Sequence, residues 1–254
     1  MIPYFGTTGW QIGFLKIQSW GLLVALGFLV GMGLVWLLAK KQKLKQEIFL
    51  DLFIWIIVVS LIGSRLFFVL FESTFGFYLT HPLDILKIWQ GGLSSFGGFF
   101  GAALVVAWFW KYKKITWVSL DVLSFGLAFG WVIGRLGCLL IHDHLGVVSG
   151  SFLAINFVQG ARLDMALLEI VTLIPLLLLF SLKGLKMLKT PGLLSSVLLL
   201  WYGIVRFFLD FLRAQDINYP DTRYLGMTVA QWGCIVLVVL GLKLWQKIKK
   251  GGVA

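Results

Sequence analysis

Apolar residues run along this chain in long stretches, at roughly 18 to 39, 48 to 70, 93 to 110, 117 to 141, 166 to 182, 192 to 212 and 225 to 245, with short polar turns between them. A helix needs about 20 apolar residues to cross the hydrocarbon core of a bilayer. The pattern therefore predicts an all-α integral membrane protein, a bundle of seven transmembrane helices. One interval departs from it. From 147 to 164, "VVSGSFLAINFVQGARLD" sets the strand-like "SFLAINF" before a "QG" turn, which predicts a short β-hairpin in a small external head at 142–164. Residues 1–254 otherwise read as a single polytopic membrane domain. The opening "MIPYFGTTGWQIG" carries no basic run and no small-residue cleavage site, so a removable signal peptide is not expected. It reads as a segment on the outer interface, anchored by Tyr4 and Trp10.

Composition agrees: 59% of the 254 residues are hydrophobic and only 13% are charged, against about 25% charged in a soluble domain. A net charge of +11 would point to nucleic acid in a soluble protein, but position points elsewhere. Lysines cluster at Lys40, Lys41, Lys43 and Lys45, at Lys111, Lys113 and Lys114, at Lys183, Lys186 and Lys189, and at Lys243, Lys247, Lys249 and Lys250. These are alternate loops and the C-terminus, which the positive-inside rule assigns to the cytoplasm. The N-terminus is then outside, and no nucleic-acid partner is expected. Both cysteines, Cys138 and Cys234, lie in apolar segments, where neither a disulfide framework nor a metal cluster is expected.

Arginine follows a different rule from lysine. Arg65, Arg135, Arg206 and Arg213 sit inside spans or at their outer ends, although a central intramembrane arginine costs at least about 2.5–3.5 kcal/mol. They must face partners, a cavity or a ligand. In "WYGIVRFFLDFLR", Tyr202, Arg206, Asp210 and Arg213 share one narrow helix face. Arg206 and Asp210 can form a structural pair; but one carboxylate cannot neutralise two guanidiniums, which leaves a cation for a phosphate or phospholipid headgroup. In "GRLGCLLIHDHLG", Arg135 and Cys138 lie on adjacent parts of a face beside the polar run His142-Asp143-His144, with Asp143 placed to orient Arg135 or a headgroup. Two histidines and an aspartate lack a further ligand except His81, so no metal site is expected. "GSRLFFVLFE" puts Arg65, Phe68 and Glu72 on one face, either at a headgroup or snorkelling to the interface. The glycine-rich "WQGGLSSFGGFFGA" suits close helix packing or an irregular backbone beside a cavity, and its Ser94 and Ser95 can bind a headgroup or cap the third helix.

In the order and spacing of these motifs, together with "LLE" at 167–169 and "MTVAQ" before the last span, the chain resembles the bacterial phosphatidylglycerol:prolipoprotein diacylglyceryl transferases over nearly its whole length. The resemblance implies transfer of a diacylglyceryl group from phosphatidylglycerol to the lipobox cysteine thiol of an exported prolipoprotein, with release of glycerol phosphate. It implies a multi-pass protein of the bacterial cytoplasmic (inner) membrane and no cofactor. Arg135 matches the essential arginine of the family's G-R-x-G-N signature and Arg206 the second essential arginine. Tyr202, Arg213 and Arg65 match as they stand, Asp210 replaces a glutamate, and Asp143 and Gly146 match the signature's acid and closing glycine. The departures are Phe96 for a histidine, Cys138 for the signature asparagine and Trp20 for a tyrosine. The implied roles are Arg135 at the headgroup phosphate and Arg206 at the thiol or leaving phosphate, with Asp210 and Tyr202 orienting Arg206. In place of the missing histidine, either His142 or His144 takes the proton, or the arginine field lowers the thiol pKa enough that no dedicated base is required. Two other classes stay open on the sequence: a non-catalytic lipid-headgroup-binding accessory protein of the same fold, and an anion channel or transporter, against which stands the lack of an internal repeat.

Overall fold

A computed structural model describes residues 1–12, 15–72, 75–88, 91–113, 115–217 and 221–252. The Glu72 side chain, Trp89, Gln90 and Lys114, which enter the sequence reading, lie outside the described residues. Strand β1 (Ile2–Pro3) and strands β2 (Gly9–Ile12) and β3 (Leu15–Gln18) precede helix α1 (Ser19–Lys41). Helix α2 (Gln46–Phe67) continues into a π-helical turn and is followed by the short α3 (Phe75–Thr80). Helix α4 (Ser95–Trp108) runs into a second π-helical turn, Phe109–Lys113, and α5 (Trp117–Ile141) follows. Strands β4 (Leu145–Val148), β5 (Ile155–Phe157) and β6 (Gly160–Asp164) lead to α6 (Met165–Met187). Helix α7 (Leu193–Leu209), strands β7 (Arg223–Tyr224) and β8 (Met227–Thr228), and α8 (Val229–Lys249) complete the chain.

Among the described residues, six helices are long and apolar enough to cross a membrane, beginning at Ser19, Gln46, Trp117, Met165, Leu193 and Val229. Most of their large apolar side chains point outward, as with Leu29, Ile54, Leu182 and Phe208. Lipid is a good solvent for such surfaces, so burial by neighbouring helices is not what holds these segments in place. The expected span at 93 to 110 differs: α4 has only 14 residues before its ladder loosens to the π pattern, so the count of seven is not reached by length alone.

The chain divides into two compact units. One comprises Met1–Leu38 and Trp117–Ala254, the other Ala39–Thr116. In the first unit, α1 and α5 meet backbone to backbone. A Cβ on Gly130 would lie 2.5 Å from the Gly27 carbonyl oxygen, so only glycine permits this approach. Asp121 of α5 accepts hydrogen bonds from the Gly192 and Ser195 N–H groups at 2.7 and 2.8 Å and from Ser195 Oγ at 2.8 Å. A buried carboxylate on one helix thereby satisfies the open N-terminus of another, where the helix dipole also favours it. In α6, Pro175 removes one N–H from the ladder. Nearby, the Trp201 indole of α7 donates to the Thr172 carbonyl at 3.0 Å.

The predicted hairpin is present as β5 and β6, with Phe157 opposite Gly160. The head is larger than the sequence suggested, because β4 and the N-terminal β1 join them in a four-stranded sheet of order β1-β5-β6-β4, β1 running parallel to β5. The opening residues thus include a strand of the head, and a second hairpin, β2 with β3, follows. Asp164, the last residue of β6, caps α6 by accepting from the Leu167 N–H at 3.0 Å. Thr228 caps α8 in a reciprocal capping box with Gln231. The Thr228 cap also touches the polar cluster described next.

Candidate active site

Helices α5, α6 and α7 bring a chain of opposite charges together in the first unit. Arg135 Nε lies 3.0 Å from Glu169 Oε1, and Arg206 Nη1 donates to Glu169 Oε2 at 3.1 Å. The other arm of Arg206 lies 3.0 Å from Asp210 Oδ1, one helical turn on, and Arg213 Nε approaches the same oxygen at 3.0 Å. Arg213 also pairs with the half-exposed Asp221. Asp210 Oδ2 accepts from the Thr228 hydroxyl, so the α8 cap holds the carboxylate still. Glu169, Arg206 and Asp210 are buried. The Trp131 indole N–H donates to Glu169 Oε1 at 2.7 Å, and the Arg135 guanidinium lies 5.0 Å above the Trp131 ring. Tyr202 stacks edge-on to Trp131, its hydroxyl beside Arg135 and Glu169.

Three guanidiniums thus share two buried carboxylates, with the half-exposed Asp221 as a third partner at the rim. The Nε–H groups of Arg135 and Arg213 each stand near a carboxylate without aligning on it, which leaves two buried donors short of an acceptor. Native interiors rarely tolerate this unless a ligand completes the geometry. An anionic oxygen is the natural acceptor. An apolar groove of about 240 Å³, lined in part by Ile204, Phe207 and Val239, runs between α7 and α8 on the helix that carries Arg206.

The structure brings Arg135, Arg206, Asp210, Tyr202 and Arg213 together. It also places Glu169 at the centre, and this residue was missed as a site residue. The sequence argument counted one carboxylate for two arginines; Glu169 is the second. Its signal was visible, since a lone acid near the start of an apolar helix is a functional candidate by default. Trp131 and Thr228 were missed too; Thr228 stood only within the quoted "MTVAQ", and nothing in the sequence context of Trp131 distinguishes it from an ordinary interfacial residue.

Gly146 acts through the backbone. It bridges to Arg213 in an isolated β-pair, Leu145 O accepts from the Ala214 N–H at 3.1 Å, and a Cβ on Gly146 would stand 2.9 Å from the Leu163 carbonyl and 3.0 Å from that of Leu212. Gly146→Val is expected to push Arg213 out of place and lower the catalytic rate about 10- to 100-fold, in line with the cost of small misplacements. Steady-state kinetics on the purified variant would check this. Arg162 donates to the Gly146 carbonyl at 3.3 Å and pairs bidentately with Asp216 at 2.9 and 2.5 Å, which holds the exposed Asp216 below the usual carboxylate range.

Asp143 and His144 lie just beyond α5, each about one-third exposed. Burial raises the Asp143 carboxyl, against the pull of Arg135; burial and then Arg213 and Arg135 lower His144 and keep its imidazole neutral. His142 is placed differently. Its Nδ1 lies 2.8 Å from Asp164 Oδ2, its Nε2 faces the Phe5 carbonyl, and Tyr4, Phe5 and Phe157 enclose the ring. Both of its ring nitrogens are taken up by protein oxygens. His142 ties the N-terminal segment to the α6 cap.

Arg65 belongs to the second unit. It donates to the carbonyls of Ile85 at 2.9 Å, Asp84 at 2.6 Å, Gly91 at 2.7 Å and Gly92 at 2.9 Å, and sits over the Phe68 and Tyr78 rings. Most of its donors are spent on the backbone leading into α4, which makes it a latch. Gly92 has φ +75° and packs where a Cβ would strike the Arg65 guanidinium. Ser94 is buried, its N–H donating to the Ser64 carbonyl at 3.0 Å, and it precedes α4 without a side-chain cap bond; Ser95 is exposed. Arg65→Ala is expected to destabilise the protein by about 3 kcal/mol, since four carbonyls lose a charged donor whose own side chain is buried. Thermal unfolding in detergent would measure it, with Arg65→Lys recovering little.

A family described as prolipoprotein diacylglyceryl transferase matches residues 8–246. This chain belongs to that family. Similar proteins include a phosphatidylglycerol–prolipoprotein diacylglyceryl transferase of Listeria innocua, 29% identical over 255 residues that cover 94% of this chain and 89% of the relative. Another, of Pseudomonas aeruginosa, is 30% identical over 256 residues, covering 95% of this chain and 93% of the relative. With the family in hand, the arginine cluster can be read for its chemistry.

Proposed function

We propose that this diacylglyceryl transferase joins the glyceryl carbon of phosphatidylglycerol to the lipobox cysteine sulfur of a prolipoprotein and releases glycerol phosphate. The observation that carries the reading is the buried cluster of three arginines around two buried carboxylates, with two unaligned N–H donors. The nucleophile is the substrate's own thiol. Its sulfur forms the C–S bond as the C–O bond to phosphate breaks, and the electron pair leaves on the phosphate oxygen. Charge grows there, so donors fixed in advance lower the barrier.

Arg135 and Arg213 offer their unaligned Nε–H groups to the headgroup phosphate. Arg206, clamped between Glu169 and Asp210, holds the positive field at the leaving oxygen, with Tyr202 beside it. Asp143 faces the polar side of the same region, and Gly146 fixes Arg213. The groove between α7 and α8 suits an acyl chain. Cationic surroundings also favour thiolate over thiol in the incoming cysteine.

The chain is a multi-pass protein of the bacterial inner membrane with its head outside. The lysine clusters support a cytoplasmic C-terminus and an outer N-terminus. This needs seven crossings, and α4 with its π-helical extension supplies the remaining one: residues 95–113 reach about 28 Å at 1.5 Å per residue, close to the hydrocarbon thickness. Phosphatidylglycerol, the prolipoprotein signal peptide and bulk lipid are its partners, and nucleic acid is not among them.

The test is the mass of a lipobox peptide after incubation with the purified protein and phosphatidylglycerol. A diacylglyceryl gain that disappears in Arg135→Ala and Arg206→Ala is expected. No gain, with arginine-dependent lipid binding retained, would replace the transferase by a headgroup-binding protein.

A further inference from the structure

Cys138, Asp143 and His144 are not needed by the arginine chemistry, yet the fold brings them together. One sulfur, one carboxylate oxygen and one imidazole nitrogen lie within 4.8 Å of one another, and the Asp143–His144 pair is at 3.6 Å. Tetrahedral zinc with bonds of about 2.0–2.3 Å sets its ligands roughly 3.3–3.8 Å apart. The cluster is therefore a small contraction away from that geometry.

The local backbone explains how residues five and six positions beyond Cys138 fold back over it. His142 has φ +51°, a left-handed conformation costly for a residue with a side chain. It ends α5 and reverses the chain, so that Asp143 and His144 return over the last turn of the helix. The hydrogen bond with Asp164 and the contact with the Phe5 carbonyl hold His142 in that state. The Met165 N–H fixes the His144 carbonyl at 3.0 Å.

Charge and access fit as well. Arg135 Nη1 stands 3.7 Å from the Cys138 sulfur, and the Trp20 side chain also bonds to it. N–H donors around a sulfur suit a metal-bound thiolate. With a thiolate, a carboxylate and a neutral imidazole, a divalent ion and its ligands sum to zero charge beside Arg135. Cys138 is buried, but Asp143 and His144 are about one-third exposed, so the group is reached from their side. An open cavity of about 260 Å³, lined by Thr8, Gln18, Trp20 and Ile141, adjoins through Trp20.

We propose that Cys138, Asp143 and His144 bind one zinc ion and leave its fourth position for the thiol of the incoming lipobox cysteine. Mixed sulfur, nitrogen and oxygen donors suit zinc, and three protein ligands are the mark of a site that keeps a position for substrate. The thiol proton passes to solvent water on the exposed side, and the sulfur attacks as a metal-held thiolate, the C–S and C–O changes being those given above. This would supply the activation that Phe96 cannot. The seat for the thiol rests on the transferase reading; the metal site does not.

Cobalt(II) is the probe, since it replaces zinc and reports thiolate ligation by a charge-transfer absorption. Chelator-treated protein in detergent is expected to bind one equivalent with that band, to lose the band on zinc addition, and to keep it in Cys234→Ser. Cys138→Ser should abolish the band. His144→Ala, at a more exposed side chain, should weaken cobalt binding at least tenfold without loss of folded protein by gel filtration. No band, or a band unchanged in Cys138→Ser, overturns the site. A lipobox peptide should strengthen the band and its Cys→Ser counterpart should not; equal responses overturn the thiol seat. Full transfer after chelation would remove the metal from the reaction and leave the transferase standing, whereas a formed cobalt site without transfer would count against the transferase alone.

Discussion

Glu169→Gln is expected to lower the transfer rate by at least about 100-fold while leaving the Michaelis constant for phosphatidylglycerol unchanged or reduced. Glu169 is 1% exposed and answers two guanidiniums at 3.0 and 3.1 Å. Glutamine keeps an oxygen for the Trp131 N–H but removes the charge, so Arg135 and Arg206 lose their shared counter-ion. Breaking a buried pair costs about 3–5 kcal/mol. Part of that cost should appear as a lower unfolding temperature, and part as displacement of the guanidiniums from the geometry that meets the leaving phosphate. The site nonetheless becomes more positive, which favours an anionic headgroup in the ground state. Ground-state binding without turnover is the signature to look for. If the rate falls only because phosphatidylglycerol binds less well, Glu169 is not organising the arginines as described.

The sequence exposed some parts of this arrangement and hid others, for physical reasons. Tyr202, Arg206, Asp210 and Arg213 lie within twelve positions of one helical segment, so periodicity alone placed them together. Arg135 was conspicuous because a permanent charge in an apolar run is expensive. The pairing of either with Glu169 depends on how α5, α6 and α7 pack, and that depends on contacts such as Asp121 against the start of α7, which hydropathy does not report. The same holds for Arg65. Its position in a span suggested a ligand, but carbonyls 19 to 27 residues further on take up its donors. For His142, an imidazole beside an arginine motif suggested a base, and only the fold shows Asp164 and the Phe5 carbonyl at its two nitrogens. The head's hairpin was legible from local alternation and a turn. The parallel pairing of β1 with β5 was not, because it joins residues more than 150 positions apart and rests on two pairs in register.

Arg206→Lys provides the second large effect, and it separates charge from shape. Arg206 uses different arms for different partners, Nη1 toward Glu169 and Nη2 toward Asp210, and so spans two buried carboxylates on two helices. An ammonium is a point charge and cannot reach both in one conformation. Lysine at this position should therefore retain net charge, and much of the lipid binding, yet lower the rate by about 10²–10³-fold, the cost of losing one fixed donor at a developing oxyanion, about 2.7–4 kcal/mol. The freed partner should matter as much as the lost one. With Arg206 gone from it, Asp210 is held by Arg213 and Thr228 alone, and Arg213 is drawn fully onto that carboxylate. Its unaligned Nε–H would then be less available to phosphate. Asp210→Asn in the Arg206→Lys background should accordingly cost much less than Asp210→Asn alone, because the two residues act as one unit. Rates from single and double variants, measured on the same lipobox peptide, give the coupling directly. Simple additivity would mean that Arg206 and Asp210 contribute independently, and that the clamp between Glu169 and Asp210 does not set the position of the guanidinium during transfer.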